Sequence, residues 1–155
     1  MRFRNMAVLM LFAVAGFAAE LTVGSGTVSA SQSAVLAVKL TGEALTGVQF
    51  DIEFDAAVFD VSLENGPAAE QAGKSLQSIS VGPGKRRALI IGLAQTSLSD
   101  GVVAILRCVT ARDAERGRSY AIGITSPAGT DLRRVSVTVS GQSGILTVET
   151  ERIVK

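Results

Sequence analysis

The chain has 155 residues, with 15 Lys or Arg against 14 Asp or Glu, no His and a formal net charge of +1. A near-neutral balance argues against nucleic acid, whose binding rests on neutralising phosphates with a basic surface. The absence of His excludes Ser-His-Asp and Cys-His devices and imidazole metal sites, and a single Cys excludes an internal disulfide, so stability rests on the core.

The first residues read as a targeting segment. Arg2 and Arg4 give a basic start, residues 6–14 are apolar, and Gly16-Phe17-Ala18 places small residues at the positions a signal peptidase reads. The expectation is a signal peptide over 1–18, cleaved after Ala18, and hence a secreted or periplasmic protein. An N-terminal membrane anchor is the alternative, but the apolar run is shorter than the roughly 18 to 20 residues a span needs. No later segment is long enough either, so no membrane association is expected after cleavage. Cleavage leaves 137 residues with thirteen basic against fourteen acidic side chains, a net charge of −1. That length suits one domain, placed at 19–149, followed by a loose tail at 150–155.

Residues 21–28 and 34–40 read as strands, the second a short apolar run bounded by Ser31-Gln32-Ser33 and Thr41-Gly42. The clearest strand follows. Val48, Phe50, Ile52 and Phe54 alternate with Gln49, Asp51 and Glu53, which describes one face on a core and one face in water. Each buried Phe or Ile contributes roughly 1.5 to 3 kcal/mol, so this strand sets register strongly. A polar corner at 55–57 leads to a second alternating strand at 59–63. Residues 64–74 read as a loop with one helical turn at 68–72.

Residues 76–81 and 87–94 read as a hairpin around the turn 82–85. The basic run Lys85-Arg86-Arg87 is expected in an exposed turn. Gly84-Lys85 lacks the second glycine, the Ser or Thr and the helix of a phosphate loop, which rejects that reading. A polar loop at 95–100 precedes the longest strand, 102–111, which carries Cys108 as a buried structural thiol. The mixed-sign run 112–118 reads as a solvated turn, and 120–125, 134–139 and 145–148 as strands. The fold class is therefore all-β, an antiparallel two-sheet sandwich of about nine strands.

The inventory for chemistry is thin, and no catalytic residue, metal site or cofactor is assigned. Asp51 and Glu53 share a strand face about 6.6 to 6.8 Å apart, a spacing that overlaps glycosidase acid pairs. On an open sheet face nothing excludes water from them, so a solvated face is the expectation. Polysaccharide binding requires exposed aromatics to stack on sugars, and this chain has no Trp, one Tyr, and Phe at inward positions after the signal. A carbohydrate-binding module stands as the second reading.

The alternating strand and its corner Phe54-Asp55-Ala56-Ala57-Val58-Phe59 resemble the strand and Tyr-Asp-Pro-x-x-Leu corner of cohesin domains, without the Pro. Residues 100–106, Asp-Gly-Val-Val-Ala-Ile-Leu, are similar to that family's Asp-Gly-Val-Phe-Ala strand, and residues 129–145 to its closing hairpin. The resemblance covers about 21–149 and implies a jelly-roll module. It implies non-catalytic protein recognition of a dockerin, a small calcium-dependent module of secreted enzymes, on the exposed face of the sheet containing the alternating strand, and a link to extracellular polysaccharide breakdown. Four of the family's outward contact positions differ here: Gly47 and Gln49 stand in place of the Asn and Asp of Asn-x-Asp, Gly92 replaces a Leu and Gln95 a Glu.

The candidate partner-binding face is accordingly Gln49, Asp51, Gln77, Ile79, Val81, Ile90 and Gln95. It requires Gln77, Ile79 and Val81 to point outward beside Ile90, forming an apolar patch. A one-residue slip instead puts Ile79 and Val81 in the core, and the sequence fits both registers equally.

Overall fold

The computed structural model describes residues 18–150. Apart from Ala18 the expected signal peptide lies outside the described residues, as does the tail beyond Thr150. The elements in order are β1 (Ala18–Val23), β2 (Gly26–Val28), β3 (Ser33–Gly42), β4 (Gly47–Glu53), β5 (Phe59–Asn65), α1 (Pro67–Gln71), β6 (Ser75–Gly82), β7 (Lys85–Ile91), β8 (Gly101–Thr110), β9 (Ser119–Thr130), β10 (Ser136–Gln142) and β11 (Gly144–Val148). The helical turn expected at 68–72 is α1, with Pro67 at its start and Ala69 buried. The described strands number eleven rather than about nine. One addition arises because the first breaks at Gly24-Ser25: Gly24 N–H donates to the Ala37 carbonyl at 2.8 Å, while the Ser25 hydroxyl accepts the Ile145 N–H at 2.9 Å. The chain there leaves β3, the partner of β1, for β11, the partner of β2.

One layer has the order β5-β8-β3-β1 and the other β9-β4-β7-β6, with β10 joining them by pairing to both β1 and β9. The sandwich is therefore closed along one side, and it is not wholly antiparallel. β1 runs parallel to β10 and β2 parallel to β11. Hairpin neighbours must be antiparallel, but strands brought together from distant parts of the chain run either way.

Alternation in β4 works as the sequence predicts on its inward side. Val48, Phe50 and Ile52 are at most 2 % exposed and meet Leu21, Leu40, Leu106, Ile122 and Leu146 in one core. Phe59 and Tyr120 add an edge-on ring contact at 5.4 Å. Cys108 is fully buried in this core, and burial pushes its thiol pKa up to about 11. The corner after β4 is built by Asp55, whose carboxylate accepts the Ala57 N–H and whose carbonyl accepts those of Val58 and Phe59.

Candidate protein-binding face

The outer face of β9-β4-β7-β6 is fixed by the β6-β7 hairpin. Its turn is Pro83-Gly84, and Gly84 adopts a φ of +67° where a Cβ would stand 2.3 Å from the Phe54 carbonyl oxygen. The Gly84 carbonyl accepts the Phe54 N–H at 2.9 Å, which ties the hairpin tip to the end of β4. A register shift between Ser80 and Gly82 leaves Val81 as a bulge. Gly82 pairs with Lys85, and without the bulge Ile79 would oppose the buried Ala88; with it, Ile79 opposes Arg87 and turns outward.

The bulge thus decides between the two registers that the sequence left open. Ile79 is 61 % exposed and Val81 38 %, while Leu76 packs against the core. Across the face, one row runs Gln77, Leu89, Gln49, Ala128 and the next Ile79, Arg87, Asp51, Thr125. Ile91, 45 % exposed, stands beside Ser75.

Two expected members of this face sit elsewhere in environment or direction. Ile90 is fully buried, opposite Val48 and Leu76; its neighbours Leu89 and Ile91 supply the outward apolar surface instead. The run Ala88-Leu89-Ile90-Ile91 is apolar at both parities, so alternation could not place it. Asp51 does project from the outer side of β4, but it is 1 % exposed rather than solvated. Arg87 lies across it, donating from Nε to Oδ1 at 2.8 Å and from Nη2 to Oδ2 at 3.1 Å. Lys85 approaches within 3.8 Å of Asp51 and 3.2 Å of Glu53. These hydrogen bonds hold the Asp51 carboxyl below its usual range against the opposing effect of burial. That shift is opposite in sign to what a general acid near neutral pH needs.

The basic run is likewise not a turn. Lys85 opens β7, Lys85 and Arg87 engage the carboxylates of β4, and Arg86 donates to Ser78. Gln49 is half-buried between Leu89 and Ala128, and Gln77 is exposed. Gln95 lies beyond the end of β7, on the wall of a pocket of about 310 Å³ with Ile91 and Leu93. Sequence reading missed Leu89, Ile91 and Arg87 as members of the face; a basic residue two positions into a strand opposite an acidic one was the available signal for Arg87.

Among the described residues no three of His, Cys, Asp and Glu are grouped to hold a metal ion. Phe50, Phe59 and Tyr120 are buried and Phe54 packs against the core, so the face carries none of them.

This architecture is the jelly-roll sandwich of cohesin domains. The sixth cohesin of scaffoldin B from Acetivibrio cellulolyticus, solved with a dockerin, superposes with a TM-score of 0.77 at 22 % identity, over 86 % of this chain and 99 % of that one. A type I cohesin in a cohesin–dockerin complex from Clostridium thermocellum gives 0.74 at 19 % identity, over 84 % and 99 %. A non-cellulosomal cohesin from the archaeon Archaeoglobus fulgidus gives 0.72 at 13 % identity, over 85 % and 91 %. No protein-family model and no curated protein matches the sequence.

Proposed function

We propose that this chain is an exported, non-catalytic protein-binding module that docks a dockerin-like partner on the outer face of β9-β4-β7-β6. The observation that carries the proposal is the exposed group Ile79, Val81 and Ile91, with half-buried Leu89 between them, around a fixed Arg87–Asp51 pair. Contiguous exposed apolar patches mark interaction sites on soluble proteins, and Arg is among the residues enriched in protein interfaces. Two of the cohesins that share this fold were solved with dockerins bound, which supports the class of partner. Export rests on the order of basic, apolar and small residues in the first eighteen positions, and a role in polysaccharide breakdown rests on the partner class.

The test is calorimetric titration of the protein into a panel of purified dockerin modules with calcium present. Saturable binding by at least one, lost in Ile79→Asp, is the expected result. Binding to none of the panel would remove the dockerin assignment. The carbohydrate-binding alternative predicts retention on insoluble cellulose, and the inward packing of the aromatic rings predicts none. No described helix is long and apolar enough to cross a membrane.

A further inference from the structure

The pocket past the end of β7 carries an unusual charge. Lys74 follows α1, its backbone N–H donating to the Ala69 carbonyl at 2.9 Å and its carbonyl accepting from Asn65 at 2.9 Å. Its side chain runs under Gly92, where a Cβ would stand 2.7 Å from the Gly73 carbonyl oxygen and 3.2 Å from Lys74 Cδ, so only glycine lets the two segments meet. Lys74 is 3 % exposed, and its ammonium donates to the Ala94 carbonyl. Among the described residues no carboxylate pairs with it. An ammonium taken out of water needs opposite charge or a full set of acceptors, and one neutral carbonyl serves one of its three donors.

The surroundings share this sign. Lys74 and Arg134 both line the pocket of about 310 Å³, whose lining has no acidic residue. Asp131, next to lining residue Thr130, is already used: its carboxylate accepts the N–H groups of Arg133 and Val135 and pairs with the Arg133 guanidinium. The rest of the wall includes Ile91, Leu93 and Leu132, the last two 104 % and 60 % exposed. A cationic floor under an apolar rim fits an anion attached to an apolar body, at the small end of ligand-pocket volumes.

We infer that this pocket binds a carboxylate carried on a branched aliphatic group, as found at the C-terminus of a peptide ending in an aliphatic residue or in a free branched-chain acid. Lys74 supplies the buried charge, Arg134 the outer one, and Leu93 and Leu132 cover the aliphatic part. This inference does not depend on partner docking, since its probes are small molecules.

The experiment follows amide shifts of Gly92, Ala94 and Leu132 in the ¹⁵N-labelled protein during titration with N-acetyl-leucine, 4-methylpentanoate and the neutral N-acetyl-leucinamide. Saturable shifts with one or both carboxylates and at least tenfold weaker response to the amide are expected. Tighter binding of N-acetyl-leucine identifies the peptide terminus as the source, and tighter binding of 4-methylpentanoate the free acid. Lys74→Met should abolish the response. Arg134→Asn, at an exposed position whose φ of +60° Asn tolerates, keeps the test decisive if Lys74→Met does not fold, and should weaken binding at least threefold. Equal shifts with the amide, no shifts with either carboxylate, or responses that survive Arg134→Asn and a folded Lys74→Met would overturn the inference.

Discussion

Arg87–Asp51 and Arg107–Glu64 are the same kind of pair on opposite outer faces of the sandwich. In the first, Nε stands 2.8 Å from a carboxylate that is 2 % exposed; in the second the distance is 3.5 Å and the two side chains are 45 % and 54 % exposed. The difference lies in strand position. β4 is flanked by β7 and β9, so long side chains from a neighbour lie across Asp51, whereas Glu64 stands on β5, an edge strand with β8 on one side only. Outward parity therefore does not mean solvation: on an interior strand, neighbouring side chains can bury an outward carboxylate if they also pair it.

The largest effect expected along β4 is on its inward side. Phe50→Ala should cost about 3 to 5 kcal/mol in denaturant unfolding, which sets the scale for its outward neighbour. Asp51→Asn should come next, at about 1 to 3 kcal/mol, because it removes a charged, two-point hydrogen bond while Arg87 still reaches water and is spared the cost of a fully buried orphan charge. Glu64→Gln, its counterpart on the other face, should stay within about 0.5 kcal/mol. Equal costs at the two carboxylates would break the comparison.

Acid sharpens it further. The native Asp51 pKa is depressed by Arg87, so its contribution is present above the unfolded value of about 3.9 and is lost as pH falls through the lower native value. The stability gap between wild type and Asp51→Asn should close over that range in unfolding curves taken from pH 6 downward. The smallest effect concerns Cys108, the inward neighbour of Arg107: the native protein should not react with a thiol reagent that labels the unfolded chain, since the thiol is buried and its pKa is about 11.

The parts of the fold legible in the sequence are those governed by local alternation: β4, β5 and β8, the corner at Asp55, the hairpin turn and the short α1. The parallel β1–β10 and β2–β11 pairs were not legible, because pairing between the two ends of a chain leaves no local pattern. At the candidate face, outward Ile79 and Val81 depended on a bulge at Val81 that reverses the parity of the residues before it. Ile90 was misplaced because its strand is apolar at successive positions. The burial of Asp51 needed a partner 36 residues away, a distance over which sequence periodicity carries no information.

The central claim, that the β6-β7-β4 face is the partner surface, is tested most directly by a matched pair of variants. Ile79 and Val35 are exposed apolar residues of similar accessibility, 61 % and 57 %, on opposite outer faces. Ile79→Asp and Val35→Asp should both remain folded monomers with wild-type unfolding midpoints, and titration with a dockerin that binds wild type should show affinity lost at least a hundredfold in Ile79→Asp and unchanged in Val35→Asp. Binding retained by a folded Ile79→Asp protein, or lost in Val35→Asp, would contradict the assignment of this face.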